Sequence, residues 1–138
     1  MLSPPNSAKS ISTRTSINWI SNGIIYSSNQ GTELIDLEEA ERISAAFAEL
    51  SPEGAPLLVD LGNPKGQTRE ARVFFSSSPD HLARYSAVAL LVTNPIAKVL
   101  ANFYLGLNRP PKPTRLFTSV PAAEAWLKTF IQGQGLAA

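Results

Sequence analysis

The chain has no cysteine, one histidine and one methionine among its 138 residues. The missing cysteine excludes a disulfide scaffold, a thiolate metal site and thiol catalysis together. With one histidine, a metal centre would have to be built from His81 and scattered carboxylates, and no HExxH-like spacing is present. No metal or cofactor is therefore expected. Long apolar runs are missing too, and nothing approaches the roughly 20 residues that span a bilayer. The start lacks a basic stretch followed by a hydrophobic one, so no secretory signal is read. Residues 1–32 contain no acid and only Lys9 and Arg14 as cations. Rich in Ser and Thr, that segment has a faint transit-peptide character, but it turns too soon into strands. The expectation is a cytoplasmic protein with no membrane span.

The chain also has little net charge, +1 at neutral pH, which argues against nucleic acid as a main partner. The distribution is uneven. Residues 33–83 carry ten acids against four cations, and residues 84–138 carry six cations against Glu124 alone. Such a gradient either folds into a mixed surface or favours head-to-tail association and an anionic partner for the second half.

The length suits one domain able to bury a core without staples. Residues 1–14 read as a flexible tail, 15–131 as the folded domain and 132–138 as a frayed end. Asn22-Gly23 lies between Thr15–Ile20 and Ile24–Ser28, a strong hairpin signal because both residues tolerate positive φ. Asp36-Leu37-Glu38-Glu39 reads as a capping box, with Asp36 on the third N–H and Glu39 reaching back. The helix it opens runs to about Leu50 and should bury Leu37, Ala40, Ile43, Phe47 and Leu50. Leu57–Leu61 and Ser86–Val92 are apolar enough for central strands covered on both faces. Between them, Thr68 caps a helix to about Ser77 with Ala71, Phe74 and Phe75 inward.

The most distinctive string is NPIAKVLANFYLGLNRPPKPTRLF, residues 94–117. Asn94 caps, Pro95 takes the first helical position, and apolar residues follow at helical spacing to Leu107. Pro110, Pro111 and Pro113 stiffen the crossing to a strand at Thr114–Phe117. A last helix, Val120–Ile131, turns Ala123, Trp126, Leu127 and Phe130 inward. A hairpin followed by alternating helices and strands predicts an α/β fold, a mixed sheet packed against about four helices.

The strings NGIIYSSNQGTELIDLEEAERI, LLVDLGNPKGQTREAR, SAVALLVTNPIAKVLANFYLGLN and PTRLFTSVPAAEAWL cover nearly all of this folded part. They resemble the SpoIIAA-like, or STAS-like, fold, and more narrowly small bacterial STAS/SEC14-like proteins of unknown function. The resemblance implies a regulatory role. In antagonist members of the wider family, a Ser or Thr starting the helix after the central strand is phosphorylated by a partner kinase. The nearest hydroxyl here is Thr68, and Gln67-Thr68-Arg69-Glu70 lacks both the Asp and the following Gly of that pattern.

Four groups of residues could carry chemistry. Gly66, Gln67 and Thr68 form a phospho-acceptor or weak anion site, or else Thr68 is simply a helix cap. Asp60, a carboxylate in an apolar strand, is either a perturbed acid at a strand end or a partner for the loop N–H groups of Gly62–Gln67. Lys98, Asn102, Arg109, Lys112 and Arg115 form an anionic-ligand or partner surface, or else Arg115 pairs with a carboxylate and the lysines are solvated. His81, beside Asp80 in a polar break, reads as a solvated loop histidine rather than a catalytic base. Phe103, Tyr104 and Trp126 read as core.

Together these readings predict a non-enzymatic regulatory or protein-interaction module working through Gly62–Thr68 and the helix behind it. Its partner is unidentified, and a homodimer is in keeping with so small a domain. The alternative is a carrier or sensor of a small lipid-like or anionic ligand, whose signature would be a cavity beside the Asn94–Leu107 helix. A hydrolase would need Asp60 or His81 in one cleft.

Overall fold

Asn22 and Gly23 both take positive φ, 53° and 81°, and turn the chain between two six-residue strands. These are β2 (Ser16–Ser21) and β3 (Ile24–Asn29), paired antiparallel with Ser21 opposite Ile24. The hairpin signal is thus realised at its expected place. The computed structural model describes residues 2–6, 8–31, 33–61, 66–92, 94–95, 98–99 and 110–137, the last six as helical backbone. The helix expected over Asn94–Leu107 lies for the most part outside these residues.

Chain order continues with α1 (Leu37–Leu50), β4 (Ala55–Asp60), α2 (Arg69–Ser77), the one-turn α3 (Pro79–Leu82) and β5 (Tyr85–Leu91). It closes with β6 (Thr114–Phe117) and α4 (Val120–Ala137). A short strand, β1 (Ser10–Ser12), precedes them all and pairs antiparallel with β2. Three residues reading Ser-Ile-Ser are too few to show a strand period, so the sequence carries no signal for it. The sheet runs β1-β2-β3-β4-β5-β6, antiparallel up to β3 and parallel from β3 onward. Parallel neighbours need crossover connections, and α1 and the α2–α3 pair supply two of them.

Strand alternation sends side chains to two cores. On one face Ile25, Leu57 and Val88 meet Ile43 and Phe47 of α1 and Ala71 of α2. On the other, Trp19, Ile24, Leu58 and Ala89 meet Ala123 and Leu127 of α4. Leu58 and Leu127 are fully buried, each contributing about 1.5–3 kcal/mol by area. Tyr26 stacks on Trp19 at 5.3 Å between ring centroids and donates its hydroxyl to Glu124 of α4. Burial first, and then Glu124, raises the Tyr26 phenol far above its ordinary range.

Both predicted caps are present. Asp36 accepts from Glu39 N at 2.9 Å, and Thr68 accepts from Ala71 N at 3.1 Å. The second half of the capping box is not. Glu39 turns away from its own helix end, is buried, and accepts from Thr13 Oγ1 at 2.6 Å, Thr15 N at 2.8 Å and Thr15 Oγ1 at 2.5 Å. Burial pushes this carboxyl up, but the donated hydrogen bonds outweigh it and hold it below its usual value. Leu37, expected in the buried stripe, is exposed at the first turn of α1.

Candidate functional site

Three parallel strands form the floor of a cavity of about 200 Å³. Their register sets Ser27 beside Val59 and Val59 beside Leu90, so one side-chain row faces α1 and α3. Ile43 and Phe47 of α1, Phe75 of α2 and His81 of α3 wall it, with Tyr85 at the start of β5. Gln67 and Asn29 stand in its lining, and Asn29 Nδ2 is engaged with Leu61 O at 3.1 Å. Among the described residues, no Lys, Arg, Asp or Glu lines the cavity.

His81 is only 4% exposed, which overturns the expectation of a solvated loop histidine. Ser78 caps α3 and Pro79 starts it, and this single turn directs His81 inward while Asp80 stays outside. The ring sits among Phe47, Phe74, Phe75 and Tyr85, with centroids 5.1–6.2 Å away. Its Nδ1 lies 2.9 Å from Ser44 Oγ on α1. Burial, helped by the charge of Arg84, lowers its pKa to about 4, so the ring is neutral at pH 7. Burial likewise raises the Tyr85 phenol. The Ser44 hydroxyl and His81 Nδ1 share this hydrogen bond, and Nε2 is the ring nitrogen left over.

A second feature borders this cavity at Ile35 and Gln67, where the segments before α1 and α2 are joined. Ile35 N donates to Gly66 O at 3.2 Å and Thr68 N to Ile35 O at 2.9 Å. Gly66 takes φ 105° at this junction, within reach of Leu34. Leu34 (48% exposed) stands near Gly66, and Leu37 (39%) and Val73 (53%) are exposed on the helices that follow the junction. Leu37, Val73 and Phe74 line a shallow hollow there with Arg69 and Glu70. Sequence reasoning missed this patch because Leu37 fits the buried period of α1. The α2 packing that leaves it outside is not written in α1 itself.

Of the residues singled out from sequence, Gly66, Gln67 and Thr68 stand at that junction, and Arg72 donates to Gln67 O at 2.9 Å. Residues 62–65 lie outside the described residues. Asp60 is buried at the end of β4 and accepts from Leu2 N at 3.2 Å. It shares the strand face of Leu58, toward α4, so the sheet separates it from His81. Asn102 and Arg109 fall outside the described residues. Lys98 is exposed near the start of its helix, and Lys112 leads into β6. Arg115 is exposed, and its guanidinium stands 5.2 Å from the Phe117 ring centre and 5.6 Å from Trp126. It stacks on aromatics where a carboxylate partner was expected. Among the described residues no hydrogen bond or ion pair joins Lys98, Lys112 and Arg115. Trp126 is partly buried against Phe117 and Phe130, while Phe103 and Tyr104 lie outside the described residues.

Known proteins add the fold and a family. The profile described as "Domain of unknown function (DUF7793)" matches residues 18–131. An uncharacterized protein of the DUF3478 family from Shewanella loihica PV-4, with a SpoIIAA-like fold, superposes with a TM-score of 0.54 at 12% identity. The alignment covers 92% of this chain and 98% of that one, which shows the SpoIIAA-like architecture. A protein of unknown function from Arthrobacter sp. FB24 is 32% identical over 78% of this chain and 93% of its own, with a TM-score of 0.28. No curated protein matches the chain.

Proposed function

The chain belongs to the DUF7793 family, and on that premise we propose that it is a non-enzymatic regulatory or protein-interaction module of the STAS-like class. The observation that carries this reading is the exposed pair Leu37 and Val73 about one hollow, with Leu34 also exposed near Gly66. Large side chains left at 39–53% exposure are what a partner's apolar residues would cover. Arg69 and Glu70 flank the hollow and offer polar contacts of both signs at its rim. Thr68 stands where a phosphate would meet the α2 N-terminus, with Arg69 following it. A non-catalytic role fits a neutral, buried histidine and a carboxylate on the opposite face of the sheet. The partner is a second protein or a second copy of this chain.

The test is affinity capture with the tagged protein and with a Leu37→Asp/Val73→Asp variant whose fold is checked by circular dichroism. Both positions are exposed, so the variant should fold. Proteins retained by the wild type and lost from the variant support the reading. Identical retention by both contradicts it. Sedimentation of the purified chain tells a self-association from a foreign partner.

A second reading, a carrier or sensor of a small ligand, is favoured by the cavity between the sheet and α1–α3. The helix expected to flank such a cavity, Asn94–Leu107, lies for the most part outside the described residues. The described lining residues include no cation and so give no support to an anionic ligand.

A further inference from the structure

We infer that the cavity beneath α1 and α3 binds a compact, neutral, ring-bearing molecule, of which a monocyclic phenol is the simplest form, with its hydroxyl hydrogen-bonded to His81 Nε2. This deepens the carrier reading and rests on it, independently of the interaction surface.

Size sets the first limit. A dry cavity of about 150 Å³ accepts benzene, and this one, at about 200 Å³, has room for a ring with one or two substituents. A two-chain lipid does not fit. Charge sets the second limit. With no ionised side chain among the described lining residues, a carboxylate or phosphate would meet no counter-charge from them, a severe cost. The neutral state of His81 reinforces this, since burial keeps the ring unprotonated at pH 7.

Shape and polarity set the third. Phe47, Phe75, Tyr85 and His81 present ring faces and edges, the surroundings in which an aromatic guest packs best. His81 is nine-tenths buried, and its Nδ1 is satisfied by Ser44. Nε2 has no protein partner among the described residues and belongs to a ring that lines the cavity. A guest hydroxyl can donate to this nitrogen or accept from it, whichever tautomer the ring adopts. Ser27, buried in the floor, adds a hydroxyl with no protein partner among the described residues. One ring and one hydroxyl therefore match what the cavity offers.

The test is a titration of the isotope-labelled protein with p-cresol and, separately, with benzoate, followed by two-dimensional NMR. We expect saturable shifts from p-cresol confined to Ser27, Val59, Gln67, Phe75 and His81, and benzoate binding weaker by about tenfold or more. Val59→Phe fills the floor and should abolish the p-cresol shifts. Leu90→Phe does the same from the neighbouring strand should the first variant fail to fold. Unsaturable shifts, equal binding of benzoate, or shifts centred on Leu37 and Val73 would overturn the inference. Native mass spectrometry of the purified protein separates the two levels of the argument. A copurified fatty acid or phosphate ester would overturn the neutral-ring class and keep the carrier reading. No p-cresol binding together with no copurified molecule would end both.

Discussion

His81 Nδ1 and Ser44 Oγ stand 2.9 Å apart and tie the single turn of α3 to the middle of α1. Both residues are buried, and the pair is surrounded by four aromatic rings, counting Tyr85 of β5. The link fixes the ring orientation. It also converts the chain's one imidazole from a titrating group into part of a cavity wall.

Acid should destabilise the protein through this histidine. Its folded pKa, about 4, is below the ordinary 6.5, so above pH 6.5 both folded and unfolded forms are neutral and it has no effect. As the pH falls through 6.5 the unfolded chain takes up a proton that the folded one refuses, and stability drops until about pH 4. The span corresponds to roughly 3 kcal/mol. Urea unfolding at pH 7.5 and pH 4.5 should show most of this loss, and His81→Phe should remove it from that window.

Ser44→Ala leaves His81 Nδ1 buried without a partner. We expect a loss of about 1–3 kcal/mol in urea unfolding. A Ser44→Thr variant, which keeps the hydroxyl, should recover part of it. Equal stability of Ser44→Ala and wild type would show that the 2.9 Å contact contributes nothing.

Glu39 predicts a second, lower acid transition. Its carboxyl is held below the ordinary 4.5 in the fold, so it adds stability above that value which is lost as the pH falls through the folded pKa. Glu39→Gln should remove this dependence and cost about 1.5–3 kcal/mol at pH 7, because the bonds from Thr13 and Thr15 lose their charge assistance. Denaturant melts of the variant at pH 7 and pH 3.5 check both halves of the statement.

Thr68→Ala should cost about 1 kcal/mol through the lost cap on Ala71 N. Thr68→Ser should be close to neutral by the same measure. A phosphate on Thr68, detected by mass spectrometry of protein from its own cells and lowering partner capture, would add regulation to the interaction reading.

The features legible in the sequence are those set by neighbours along the chain. Asn22-Gly23 requires a two-residue turn, and Asp36 and Thr68 each need only the amide three residues ahead. Alternating helices and strands then lead to the mixed sheet. What stayed hidden depends on residues far apart. Glu39 meets Thr13 and Thr15 across 26 and 24 positions, and no local pattern distinguishes that from a capping box. His81 meets Ser44 across 37, and only the packing of α3 on α1 takes it out of water. Leu37 obeys the helical period yet faces outward, because the period says which side is apolar and not how far the neighbouring helix reaches. A cavity is a place where side chains fall short of one another, and a linear pattern holds no mark of it.

The central claim is that a partner covers the exposed pair Leu37 and Val73, with Leu34 near Gly66. Hydrogen–deuterium exchange of the purified protein, alone and with its captured partner, tests it most directly. The account predicts slowed exchange in residues 34–40 and 66–77, with α4 and β6 unchanged. Protection confined to α4 and β6, around Arg115 and Trp126, or no protection in either segment, would contradict it.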